Sequence, residues 1–399
     1  MRILICANLL FPYFTGGKKR MCYYYARYLA ARGHSVRVVT QRRERQDATR
    51  DALDSFSVFR FPTRQGSALS YNASEVLGGV AAIRAACSGW EPDVVFVHDP
   101  NMALAAALSP AARRPTVYGF HAGWALEWRQ GYEHMGGAYG GRARAALRRP
   151  LAGLFFRYLL GLERAMLERS ARVLVLSEFS RGILRSTFGV PDRAVALIPG
   201  TADMDWFTPG AVERGKEFRI FTLRRLEPRM GLENLVEAAA LLRDEGKRFV
   251  LHLGGRGRLE GTLRGMIARK GLDERVRLLG YLSNERARQE YRGAHLSVLP
   301  TLAYEGFGLA TLEALACGAP VLGTRVGATP EVLGPLSERL LCEATPRSLA
   351  DGMRYWMQHP AELAELSARC PAYARERYGP DVMARRIEEL FEGLLGGQR

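Results

Sequence analysis

The densest run of chemistry-bearing residues lies between two glutamates, in Tyr304-Glu305-Gly306-Phe307-Gly308-Leu309-Ala310-Thr311-Leu312-Glu313. Glu305 follows a short apolar run, 296–300, that suits a buried strand. Gly306-Phe307-Gly308 then opens a helical pattern over 307–317. The N–H groups that start a helix have no partner within it and sit at the positive end of its dipole, which suits a phosphate or sugar oxygen. Gly306 and Gly308 let a ligand approach the backbone closely. Glu313 falls about two turns into the helix, where a carboxylate accepts hydrogen bonds from vicinal hydroxyls such as those of a ribose. A plain helix cap followed by a solvated Glu313 is the competing reading. The pattern's extension through Cys317-Gly318-Ala319-Pro320 to Thr324 weighs against it.

A second segment is cationic: Leu223-Arg224-Arg225-Leu226-Glu227-Pro228-Arg229-Met230-Gly231. Arginines on such a turn would stabilise the charge gathering on a leaving diphosphate, or would form a solvated basic turn. Met230 neither donates a hydrogen bond nor carries charge. Gly255-Arg256-Gly257 follows the apolar run 249–253 as a glycine turn. It lacks the third glycine of a dinucleotide fingerprint. Near the start, Gly16-Gly17 follows the first apolar run and on its own is a turn signal. His121 ends the run 116–121, where a lone histidine serves structure as readily as chemistry. Lys18-Lys19-Arg20 suits an anionic acceptor or a charged helix start. Arg142, Arg144, Arg148 and Arg149 precede an apolar helical stripe. They suit a basic element resting on an anionic membrane, or a solvated loop leading into a core helix. No Asp-rich or His/Cys cluster has ligand spacing, so no metal site is expected.

These residues sit at the ends of alternating strands and helices. In the front half the expected strands are 2–7, 36–40, 93–98, 116–121, 172–177 and 194–199. In the back half they are 218–223, 249–253, 276–280, 296–300 and 320–324, with helices between. Such alternation implies parallel sheets covered on both faces. With 399 residues, two domains are expected: 1–200, a linker at 201–217 marked by Pro209 and Gly210, and 218–379. A C-terminal helix, 380–399, is expected to pack back on the front domain. Open parallel sheets bind ligands at the carboxyl ends of their strands, and two such domains would place a ligand in a cleft.

The chain resembles the retaining GT-B glycosyltransferases, in particular their family four, or group 1. The match is the pair Glu305 and Glu313 with seven residues between, and it extends over nearly the whole chain. The resemblance implies two Rossmann-like domains with sheets facing a central cleft, and sugar transfer with retention from a nucleotide-diphosphate sugar such as a UDP- or GDP-sugar. By the same resemblance Glu305 faces the donor sugar and Glu313 the ribose. The backbone of Phe307, Gly308 and Leu309 meets sugar and diphosphate. Gly16 and Gly17 lie near diphosphate and acceptor, His121 lies near the donor sugar, and Gly255 is the back domain's glycine turn. Arg225 takes the family's arginine position, while Met230 stands where the family has a lysine. Arg229 or Arg224 would have to compensate. The acceptor is left open: a glycan, a lipid-linked intermediate or a small natural product. Met230 keeps a second reading alive, a non-catalytic nucleotide-sugar binder or partner subunit.

The net charge of +16 invites nucleic acid, an anionic membrane or an anionic substrate. Of the 57 basic residues only Lys18, Lys19, Lys216, Lys247 and Lys270 are lysines, which equally suits a compositional bias. Aromatic residues are not interleaved with the basic runs, which argues against nucleic acid. The missing fingerprint argues against a nicotinamide oxidoreductase. Six cysteines without a CxxC pair suit free thiols in a reducing compartment. The opening run is too short for a cleavable signal, and 151–162 is too short to span a bilayer. A cytoplasmic protein is therefore expected, with peripheral contact at the inner face of a membrane.

Overall fold

The structure, a computed structural model, describes residues 1–12, 16–44, 46–64, 66–121, 123–126, 129, 142–212 and 217–397; the side chains of 68 and 142–151 are not among what it describes. The chain divides into two compact units, Met1–Ile198 with Ala384–Arg399, and Pro199–Met383.

The first unit holds β1 (Arg2–Cys6), α1 (Gly17–Ala31), β2 (Ser35–Gln41), β3 (Arg50–Leu53), β4 (Phe56–Phe61), α2 (Ala68–Cys87), β5 (Val94–Val97), α3 (Pro100–Ala107), β6 (Thr116–Phe120), α4 (Arg142–Arg169), β7 (Arg172–Val175), α5 (Glu178–Ile183) and β8 (Val195–Leu197). The sheet runs β3-β4-β2-β1-β5-β6-β7-β8, parallel except for β3 against β4. Its centre is set by Ile3 pairing with Val36 on one side and Val94 on the other. Strands buried on both faces must be apolar throughout, and all four residues of β5 are buried. Where β5 ends, Asp99 caps α3 by accepting the Met102 N–H at 3.0 Å. Pro100 fills the first helical position, where no N–H is needed.

The second unit holds β9 (Phe218–Leu223), α6 (Leu232–Asp244), β10 (Phe249–Gly254), α7 (Glu260–Arg269), β11 (Val276–Gly280), α8 (Asn284–Gly293), β12 (Leu296–Leu299), α9 (Leu309–Ala316), β13 (Val321–Thr324), α10 (Thr329–Leu333), β14 (Leu341–Cys342), α11 (Pro346–Gln358) and α12 (Pro360–Tyr378). Its sheet is parallel, in the order β11-β10-β9-β12-β13-β14. The final helix α13 (Pro380–Gly396) belongs to the first unit from Ala384 on. There Glu388 accepts from Arg32 at 2.7 Å and meets His34 at the same distance.

Several expectations need correction. The stretch 201–217 is not a free linker in its described part. Phe207 is buried against the Tyr291 ring, and Thr208 O accepts from Arg292 at 2.7 Å, so this stretch belongs to the second unit. The hairpin β3–β4 was not foreseen, because β3 is an edge strand of mostly exposed residues without an apolar run. On α4, Leu159 is buried but Leu154 and Tyr158 are exposed, so the apolar stripe is only partly core. Among the described residues no helix is long and apolar enough to cross a membrane.

Candidate functional site

In the second unit the strand ends are drawn together by glycines that tolerate no side chain. A Cβ on Gly255 would lie 1.8 Å from the Arg224 carbonyl oxygen, and one on Gly231 would lie 1.8 Å from that of Pro300. These contacts lock the turns after β9, β10 and β12 against each other. Into this corner points Glu305. It accepts from Arg224 Nη2 at 2.5 Å and from Thr301 Oγ1 at 3.2 Å. The ion pair is nearly dry, with side-chain exposures of 8% for Arg224 and 10% for Glu305. Arg224 also donates to the Met230 sulfur at 3.0 Å and to Thr301 Oγ1 at 2.9 Å.

Tyr304, before Glu305, holds a left-handed φ of 54°, a conformation that costs a bulky residue about 1–2 kcal/mol. Gly308, at φ 87°, starts α9. The N–H groups of Leu309 and Ala310 lead that helix and have no partner within it. Phe307 is buried against the Tyr378 ring at 5.7 Å. Glu313 is buried on the same helix and accepts from the Tyr291 hydroxyl at 3.4 Å. Arg229 donates to the Tyr304 carbonyl at 3.2 Å. Arg225 is exposed.

In the first unit, Gly16 and Gly17 open α1. His121 follows β6, and its Nε2 lies 3.0 Å from Nδ1 of His98, the residue after β5. Burial disfavours the charged form of both imidazoles. His98 is pushed well below its ordinary range by desolvation, with His121 and Lys18 adding to it, and His121 is pushed to about 3 by desolvation and Lys18. Cys22 joins them, the three ligand atoms lying within 4.8 Å of one another. Sequence spacing gave no sign of this grouping, because α1, β5 and β6 bring together residues far apart in the chain. The trio nevertheless fits an ion poorly. Burial pushes the Cys22 thiol up to about 12. Metal-bound imidazoles pass their outer N–H to a partner, and among the described residues neither His98 Nε2 nor His121 Nδ1 has one.

The comparisons with known proteins also divide the chain in two, at 206/208, a few residues beyond the boundary between the units. The family model for glycosyl transferases group 1 matches residues 208–377, and that for Glycosyltransferase Family 4 matches residues 15–206. The chain belongs to the group 1 glycosyltransferases.

Its two Rossmann-like units have the GT-B fold. Sucrose-phosphate synthase from Thermosynechococcus elongatus superposes with a TM-score of 0.80 over 100% of both chains at 19% identity. Anabaena HepE in complex with UDP-glucose does so with a TM-score of 0.74, covering 98% of this chain and 100% of that one at 18% identity. Among curated relatives, the MMP alpha-(1->4)-mannosyltransferase of Mycolicibacterium hassiacum is 29% identical over 62% of this chain. The D-inositol 3-phosphate glycosyltransferase of Nocardiopsis dassonvillei is 29% identical over 53%. The matched stretches span 60% and 53% of those two relatives, so the chain covers less than two thirds of their length.

Set in this glycosyltransferase fold, the residues marked in the sequence fall into two groups. Glu305, Phe307, Gly308, Leu309, Glu313, Gly255, Arg225 and Arg229 lie in the second unit, and Gly16, Gly17 and His121 in the first. Within the second unit the ion pair to Glu305 comes from Arg224, one residue before Arg225. Thr301, Tyr291 and His98 were missed. His98 carried a readable signal, a polar residue directly after the apolar run Val94–Val97, as His121 is after its own. The side chains of Arg142, Arg144, Arg148 and Arg149 lie outside the described residues.

Proposed function

We propose that the chain is a retaining, metal-independent glycosyltransferase that moves a sugar from a nucleotide-diphosphate sugar to an acceptor: a glycan, a lipid-linked intermediate or a small natural product. The observation that carries this reading is Glu305, held by Arg224 and Thr301 just before α9, with Glu313 buried on that helix. A diphosphate at the start of α9 meets the helix dipole and unshared N–H groups. The Arg224 guanidinium, beside Glu305, is the buried cation to which the leaving charge is drawn. Glu313 receives ribose hydroxyls. The departing phosphate oxygen takes the acceptor's proton on the face the leaving group occupied, so the anomeric configuration is kept. No step calls for a metal.

The printed activities of relatives support this. They include mannosyl transfer, glycosyl transfer to D-inositol 3-phosphate and glucosyl transfer to 2-deoxystreptamine; the complex of HepE with UDP-glucose supports a UDP-sugar as donor. The non-catalytic reading raised by Met230 is countered by Arg224, whose guanidinium touches the Met230 sulfur. A peripheral contact with an anionic membrane at its cytoplasmic face belongs to the same proposal. It would run through Arg142, Arg144, Arg148 and Arg149, supported by the exposed Leu154 and Tyr158 on α4.

A thermal-shift screen against UDP-, GDP-, ADP- and TDP-sugars tests the reading. A donor present at about 100 times its Kd adds roughly 2.7 kcal/mol of stability. No shift with any of them would overturn the proposal.

A further inference from the structure

A helix that rests on a sheet and meets water turns polar or charged residues outward. α2 does not. Its inward side is closely packed: Glu75, Gly79, Ala82, Ile83 and Ala86 are buried, and a Cβ on Gly79 would lie 2.9 Å from that of Ala105 on α3. Its exposed positions from 69 to 81 are Leu69, Ala73, Leu77 and Ala81, all apolar and each four residues from the next. Leu69 and Leu77 are 75% and 71% exposed.

α2 belongs to a layer. Ile83 of α2, Met102 of α3 and Met166 of α4 share one apolar cluster with Leu4, Val95 and Tyr118 of the sheet. The three helices therefore cover the same face of that sheet and turn their outer sides the same way. α2 packs on α3, and α3 on α4. Leu108, which ends α3, and Leu154 and Tyr158 on α4 are exposed too. Among the described residues, every large hydrophobic side chain exposed on the first unit lies on this layer. Single exposed leucines need no explanation; their confinement to one side of the sheet does.

The rim of the layer is positive. Exposed arginines stand at Arg84 on α2 and at Arg157, Arg164 and Arg169 on α4, with Arg113 in the turn after α3. Among the described residues Glu168 is the exposed acid of the three helices, and it pairs with Arg164 at 3.1 Å. An apolar strip within a positive rim fits an anionic lipid surface, which takes leucines into its headgroup–acyl boundary and attracts the arginines. A second copy of the chain fits it worse, since a two-fold contact would set the positive rim against itself. We propose that α2, α3 and α4 together dock the first unit on an anionic membrane, with Leu69 and Leu77 entering the interface. The proposal rests on the membrane contact put forward above and extends it from α4 to the whole helical layer.

Co-sedimentation of the full chain with phosphatidylglycerol–phosphatidylcholine vesicles, against pure phosphatidylcholine vesicles, tests it. Wild type is expected on the anionic vesicles, less so as salt rises; equal binding to the two vesicles overturns the proposal. Leu69→Gln/Leu77→Gln changes no charge and leaves the core intact. It is expected to melt like wild type and to bind the anionic vesicles at least roughly tenfold more weakly, the scale of withdrawing two leucines from an interface. Unchanged binding of that variant overturns the proposal; if Leu154→Gln/Tyr158→Gln weakens binding in the same experiment, the narrower contact through α4 stands. No binding of wild type to either vesicle overturns both. A wild-type mass of two chains by light scattering, falling to one in Leu69→Gln/Leu77→Gln, hands the face to a second copy and overturns the proposal as well. None of these measurements involves a nucleotide sugar, so their outcome is independent of the transferase reading.

Discussion

Replacing Arg224 by leucine leaves the Glu305 carboxylate in a nearly dry corner where, among the described residues, it keeps the Thr301 hydroxyl at 3.2 Å. Breaking one partner of a buried pair costs about 3–5 kcal/mol. That puts Arg224→Leu near ~3–5 kcal/mol. Glu305→Gln alone strands the guanidinium, which keeps the Thr301 hydroxyl and the Met230 sulfur as acceptors. In the double variant neither charge is stranded, so a cycle of urea unfolding on the four proteins should show a coupling energy of at least ~2 kcal/mol. A coupling under about 0.5 kcal/mol, with Arg224→Leu as stable as wild type, would refute the reasoning and with it the choice of Arg224 over Arg225.

Two further predictions concern the frame. Gly255→Ala adds a Cβ 1.8 Å from the Arg224 carbonyl oxygen at φ +131°, and should cost upward of ~3 kcal/mol in melting experiments; Gly246→Ala, also left-handed but with nothing within 4 Å, should cost only ~1 kcal/mol, and equal costs would show that the turns are not locked as described. Glu75, which accepts from Asn101 at 2.7 Å and Gln41 at 3.2 Å, is pushed up to about 7 by burial and by Asp99. The fold therefore favours its protonated form, and that contribution is complete below the unfolded pKa and lost as pH rises through about 7. The stability of Glu75→Gln relative to wild type should grow as pH rises through that window, and a difference that stays flat with pH would remove Glu75 as the cause.

The second unit was the more legible in sequence. Strands 218–223 and 276–280 match those expected to the residue, although in them only 220–222 and Val276 are buried. Glu305 and Glu313 stand out in sequence because Gly306, Gly308 and the apolar run that follows mark a loop-to-helix junction, with Glu305 before α9 and Glu313 on it. The partners of these groups were not. Arg224 lies 81 residues from Glu305, and the local sequence does not say that Arg224, and not Arg225, turns inward. The His98–His121 pair and the approach of Cys22 come from α1, β5 and β6 meeting in space. Local patterns carry no trace of such meetings, just as the exposed edge strand β3 carried no apolar run.

The account rests most directly on donor binding at Glu305 and Glu313. Calorimetric titration of wild type, Glu305→Ala and Glu313→Ala with the nucleotide sugar that gives the largest thermal shift measures it. The account predicts one site per chain in the wild type and affinity at least ~10-fold weaker in each variant that still melts cooperatively, the scale of one lost charged hydrogen bond. Unchanged affinity in both folded variants would contradict it.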